Sequence, residues 1–158
     1  MKLQKWLENW DMTGLKIKTP FLETEWNPQT ADQNAAWDLY IEMLTRIITQ
    51  PLPDHAGDEK AALDSVYSLF PETRRIIKHY GRDCINFTKI AIVVLNQIVR
   101  PFTARWHPLS IAGQLSTADN SKQFRTELAV LQIELRKYAR LLADLAKVED
   151  LTHFEDLY

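Results

Sequence analysis

Glycine is scarce in this chain, at four residues in 158. A turn-rich β fold relies on glycine at its tight turns, so the shortage favours helices. Cysteine is scarcer still. With Cys84 alone no intramolecular disulfide can form, which fits a reducing compartment. Cys84 reads as a small buried side chain near a helix start. Long apolar runs are also missing. The longest unbroken one covers residues 90–95, far short of the roughly 18–20 apolar residues that span a bilayer. The opening MKLQKWLENWD has no apolar core followed by a cleavage site, so no signal peptide is expected and a cytoplasmic location is. An excess of one charge is absent as well: 19 Lys and Arg stand against 21 Asp and Glu, giving a net charge of -2 and a pI near 6.1. That balance excludes a protein that holds nucleic acid by overall positive charge, and leaves room only for a local basic patch. There is no glycine-rich phosphate loop, no HExxH, no paired CxxC and no GxSxG, so no cofactor or metal site is expected.

What is present reads as one helical domain over residues 1–158. A chain of this length can bury roughly 70% of its unfolded surface, enough for a core without metal or disulfide. Residues 89–107, KIAIVVLNQIVRPFTARWH, are the expected centre. A helix over about 83–100 that is apolar on every side needs neighbours on every side. Its few polar residues, Lys89, Asn96, Arg100, Thr103 and His107, form one stripe if the helix is continuous. Asn96 reads as a core amide that fixes register. Pro101 removes the backbone bond to Gln97, so a kink or restart is expected there, and Pro108 biases His107 out of helix.

Around this centre the chain offers amphipathic helices. Leu3, Trp6, Leu7 and Trp10 make a short stripe ended near Gly14, followed by an extended arm or edge hairpin limited by Pro20 and Pro28. Three of the five tryptophans, Trp6, Trp10 and Trp26, lie in these residues 1–29. Thr30 and Gln33 match a capping box, and Trp37, Tyr40, Ile41, Leu44, Ile47 and Ile48 share the face of the next helix, with Leu39 and Met43 off it. Asp58 should cap a helix carrying Leu63, Val66, Tyr67 and Phe70. Asp54, His55, Asp58 and Glu59 crowd one loop but match no metal spacing. Pro71 kinks that helix or opens a new one with Ser68 as cap, and Gly81 stops it. The last long helix sets Phe124, Leu128, Leu131, Leu135, Tyr138, Leu142 and Leu145 at alternate spacings of four and three, with Val130, Ile133 and Leu141 widening the apolar face. The tail, residues 149–158, mixes acidic residues with Leu, Phe and Tyr, as a docking tail does. The expected fold is therefore all-α: an up-and-down bundle of four main helices around the central one, with the N-terminal helix and arm laid across it or on a partner.

Two short patterns carry chemistry. Arg100 and His107 bracket six residues in RPFTARWH, and Arg74 and His79 bracket four in RRIIKH. Both resemble the Arg-x(4–6)-His motif of HEPN ribonucleases, although Pro101 and Arg75 stand where that motif usually has a polar, uncharged residue. The resemblance implies a small helical bundle that pairs with a second copy and cuts RNA without metal. Arg would hold the scissile phosphate and His would act as acid or base on the ribose hydroxyl. Read from the residues alone, the same cluster has no catalytic residue: Phe102 and Trp106 pack inward, and Arg100, Arg105 and His107 pair with acids such as Glu42 or the C-terminal carboxylates.

The favoured expectation is a non-catalytic protein–protein interaction module, an accessory or adaptor subunit of a bacterial-type complex. It self-associates or binds a larger protein through Trp6, Trp10, Trp26, Arg105, Trp106 and His107, because Trp and Arg are enriched at interface hot spots. The HEPN-like ribonuclease, with RNA as partner, is the alternative. No membrane partner is expected.

Overall fold

The structure, a computed structural model, describes residues 1–154. It is all-α. The helices are α1 (Leu3–Asn9), α2 (Thr19–Leu22), α3 (Thr30–Leu44), α4 (Glu59–Tyr67), α5 (Leu69–Tyr80), α6 (Ile85–Val94), α7 (Arg100–Ile111) and α8 (Ala118–Ala146). A 3₁₀ turn, Gly81–Cys84, leads into α6, and a π-helical segment, Leu95–Val99, joins α6 to α7. Among the described residues the one β contact is the isolated bridge Lys2↔Glu25. None of these helices is long and apolar enough to cross a membrane.

Helix α8 supplies the longest buried seam. Phe124, Leu128, Leu131, Leu135, Tyr138, Leu142 and Leu145 are all buried, and Leu141 with them. Its main neighbour is α3. Val130 and Ile133, expected to widen this face, instead remain 61% and 50% exposed. A helix packed on one side buries a limited arc, and these two residues fall beyond it.

Two expectations are corrected here. The α6 helix is not sheathed on all sides: Ile90, Ala91, Val94 and Leu95 are buried, but Ile85 and Ile92 are each 49% exposed. The apolar run is therefore the core side of an edge helix plus an uncovered strip. The face of α3 is rotated as well. Ala35, Ala36, Leu39, Tyr40 and Met43 are buried, while Trp37 and Ile41 stay partly in solvent. Small Ala35 and Ala36 let neighbouring helices approach closely, so the packed face runs through them rather than through Trp37.

Backbone chemistry explains the breaks. Asp58 accepts from the N–H of Ala61 at 2.7 Å and caps α4 as expected. The chain turns at Ser68, and Pro71 falls in the first turn of α5, where its missing N–H has no helical partner to lose. Gly81 ends α5 at φ +69°, a conformation other residues adopt only under strain. At Pro101 the chain neither breaks nor restarts. It widens: the N–H of Arg100 reaches back five residues to the carbonyl of Leu95. The wider turn takes the Gln97 carbonyl off the α-helical position that the proline ring would hit. His107 stays helical despite Pro108, because buried Trp106 beside it is anchored through Nε1 to Glu127 at 2.8 Å.

The cap of α3 lies one residue earlier than the sequence suggested. Gln29 is the N-cap, and its backbone N–H donates to Asp32 at 2.7 Å. Asp32 is fully buried and also accepts from the backbone N–H of Phe87 at 2.9 Å and from Asn86 Nδ2 at 3.1 Å. One carboxylate thus closes the N-terminal ends of α3 and α6, where both helix dipoles favour negative charge. Replacing Asp32 with Ala leaves buried donors unmet, so Asp32→Ala should lower unfolding free energy by about 2–4 kcal/mol, to be measured by urea denaturation, with Asp32→Asn recovering part of the loss.

Candidate functional site

The two Arg–His patterns fare differently. Arg74 and His79 both lie on α5 and both are exposed. Five residues apart, they point roughly 140° away from each other and do not meet. Arg100 and His107 lie on α7, seven residues apart, which places them within roughly 20° on one face and about 10 Å along it. Each rests on an aromatic ring of the α4–α5 elbow. The Arg100 guanidinium is 4.7 Å from the centre of the Phe70 ring. The His107 ring is 5.0 Å from that of Tyr67, and Tyr67 is 5.7 Å from Phe70. Arg100 Nε donates to Asn96 Oδ1 at 3.0 Å. Asn96 is exposed, so it is not the core amide that its apolar surroundings in the sequence suggested. No ion pair holds Arg100 or His107 among the described residues. Glu42, one expected acid, is bound to Arg46 instead. Of the acidic residues of the tail, Asp150 accepts from Tyr40 at 3.4 Å and from the N–H of Thr152 at 2.9 Å instead, and Glu155 and Asp156 lie outside the described residues.

Of the expected tryptophan surface, Trp6 is turned inward, while Trp10 and Trp26 are half-buried. Trp6 is 4% exposed and stacks on half-buried Trp26 at 4.4 Å. The indole N–H groups of Trp6 and Trp10 both donate to Asp144 Oδ2 near the end of α8, at 2.6 and 3.3 Å. The arm is fixed further along by Gln97, whose side-chain amide accepts from the N–H of Lys16 at 2.7 Å and donates to its carbonyl at 2.8 Å. The π segment presents this amide outward. Trp106 is fully buried, and Arg105 is paired with Glu127 at 2.8 Å. Of the Arg105–Trp106–His107 group, only the flanking side chains therefore reach the surface. The tail also packs on its own chain where it is described: the N–H of Leu151 donates to the Tyr40 hydroxyl, and Thr152 is buried. Residues 155–158 of the expected docking tail lie outside the described residues.

A different surface carries a wide depression. A groove of about 840 Å³ runs between α8 and the loop after α3, floored by Leu52, Ala129, Val130 and Ile133. It adjoins a second one of about 430 Å³ that shares Pro51, Ala129, Gln132 and Ile133 and ends at Thr152 and His153. Side chains of α8 build the loop wall. Gln132 is buried and its Nε2 donates to the carbonyls of Ile47 and Gln50, each at 2.7 Å. Arg136 donates to Thr49 O at 3.2 Å. Arg125 donates to Pro53 O at 2.9 Å and Ala56 O at 3.1 Å, and its Nε pairs with Glu59 at 2.8 Å. Gly57 completes the turn at φ +69°, and a Cβ there would lie 2.5 Å from Leu52 Cδ1. Arg125, Gln132 and Arg136 were not among the residues to which the sequence pointed. Gln132 follows seam residue Leu131 directly and lies four after Leu128, which was a readable sign that it borders the core. No group of three or more His, Cys, Asp or Glu among the described residues is arranged to hold a metal ion.

Comparison with known protein families, curated proteins and solved structures finds no match to this chain.

Glu59 links this wall to pH. Its hydrogen bonds from Ser121 and then Arg125 hold its carboxyl below the ordinary range, against an opposing effect of burial. A carboxyl lowered in the folded state stabilises above its unfolded value and loses that contribution as pH falls through the folded value. Stability should therefore decline on acidification below the ordinary glutamate range, and Glu59→Gln should flatten that part of the profile, as read by thermal unfolding across a pH series.

Proposed function

We propose that this helical domain, arranged as an up-and-down bundle, is a non-catalytic protein–protein interaction module whose contact surface is the α8 groove. The observation that carries this reading is the pair Val130 and Ile133, three residues apart, at least half exposed, and lining this wide groove. Bare apolar side chains in a walled concavity are what an amphipathic partner helix fills. The α8 residues bordering the two adjoining cavities run from Ala118 to Arg136. That is about 27 Å of helix, room for a partner helix of several turns. Arg125, Gln132 and Arg136 fix the wall in advance, so little ordering entropy is lost on binding. The packed tryptophan arm is support for the bundle in this reading, not its contact.

The test is Val130→Asp together with Ile133→Asp. Both residues are exposed, so circular dichroism and melting temperature should change little, while the self-association or co-purifying protein seen with wild type from its native cells is lost. A double variant that keeps the same assembly mass and the same bound protein overturns the reading. So does a wild-type chain that elutes alone as a monomer.

The HEPN-like ribonuclease stands as a second reading, supported by Arg100 and His107 sharing one face of α7 with no ion pair among the described residues. General acid–base catalysis by His contributes roughly 10²–10⁴-fold. His107→Ala and Arg100→Ala should each abolish metal-independent RNA cleavage by purified protein, and cleavage that persists in both variants removes this reading.

A further inference from the structure

Helix α5 carries an outward line of cations away from the α8 groove. Arg74, Lys78 and Arg82 follow one another at four-residue intervals, the last in the 3₁₀ turn, and all three are exposed. None of them forms an ion pair among the described residues. Lys60 is paired with Asp64, Lys137 with Asp11 and Glu134, and Arg75, the neighbour of Arg74, with Glu72; Lys89 and Lys122 also stand without an ion pair among the described residues, but singly and not in a line. Like charges four residues apart on a helix repel by about 0.2–0.5 kcal/mol, so the line is mildly costly where nothing answers it.

Arg100 extends the line at the start of α5. Its guanidinium lies over Phe70, and Phe70 precedes Arg74 by one helical turn, about 6 Å between Cβ atoms. Next to it stands Tyr67, 45% exposed. From Phe70 to Arg82 the track runs about 18 Å, with an uncovered ring at one end and cations at helical intervals along it. An opposing helix with carboxylates every four residues has the same repeat. A molecule of net charge -2 lacks the long-range positive field by which proteins gather nucleic acid, so the anion is best supplied at short range by protein carboxylates.

We infer that the α5 track is a docking site for an acidic helical segment of a partner protein, whose carboxylates face Arg74, Lys78, Arg82 and Arg100 and whose apolar side chain covers Tyr67. This rests on the interaction-module reading and names a partner chemistry on a face separate from the α8 groove.

The probe is a fluorescein-labelled alanine-based helical peptide with glutamate at every fourth position, titrated into the full chain at low salt. Its lysine counterpart and a single-stranded oligonucleotide of equal negative charge are the comparisons. The glutamate peptide should bind saturably and weaken as salt rises, and the lysine peptide should not bind. Arg74→Glu with Lys78→Glu and Arg82→Glu should lower affinity for the glutamate peptide at least tenfold. If the triple variant fails to fold by circular dichroism, Arg74→Ala with Lys78→Ala should still lower it severalfold. Val130→Asp with Ile133→Asp should leave this binding unchanged, which separates failure of the track from failure of the groove. Absence of saturable binding, equal binding by the charge variants, or tighter binding of the oligonucleotide overturns the inference.

Discussion

The buried side of α8 is the constraint from which the rest of the arrangement follows. Its apolar residues recur at spacings of four and three over the length of the helix, and each turn of that seam must be shielded from water. Helix α3 provides the principal cover. Once α8 is seated this way, its opposite residues have no choice of environment. Val130 and Ile133 are left outside, and Gln132 falls at the border, close enough to the core to be buried and close enough to the following loop to bind two of its carbonyls. The groove is thus a by-product of how one long amphipathic helix satisfies its own seam.

A second organising contact works through charge without a counter-charge. Asp32 is buried, yet the partners that surround it are N–H groups of Gln29, Asn86 and Phe87. Two of these belong to the opening turn of α6, so the carboxylate stands where helix N-terminal partial charges add. This fixes α6 against α3 and thereby the direction in which the chain runs on through the π segment into α7. The common face of Arg100 and His107 depends on that continuity. A sharp break at Pro101 would have turned them apart; the wider π turn absorbs the proline and keeps α7 in line.

Several elements were legible in advance for physical reasons that are local. The all-α class followed from helical periodicity and few glycines. The caps at Asp58 and Gly81, the restart near Pro71 and the whole α8 seam follow from backbone valence and side-chain spacing, which tertiary packing did not overturn. Other features were not legible. The pattern on α3 admitted two overlapping faces, and the one containing Ala35 and Ala36 is buried, because close helix approach rewards small residues and periodicity does not weigh size. The apolar run of α6 looked central, but hydrophobicity says that a side chain prefers cover, not that cover is supplied; Ile85 and Ile92 lack it. The tryptophans looked like contacts, but the indole N–H groups of Trp6, Trp10 and Trp106 found carboxylates on α8, Asp144 for the first two and Glu127 for the third, and bonded polar edges let large rings pack inward.

By itself the sequence determined the all-α class, most ends of the longer helices and the seam of α8, since each depends on residues a few positions apart; the short helix α2 forms where an extended arm was expected. It also determined a small net charge and the spacing of its Arg–His pairs. Only the tertiary structure decided which pair shares a face, which apolar residues stay bare and which cations form no ion pair among the described residues. Those properties depend on what lies across from a side chain, and neighbours across the core, such as Trp6 and Asp144, are brought together from opposite ends of the chain by packing that no local pattern encodes.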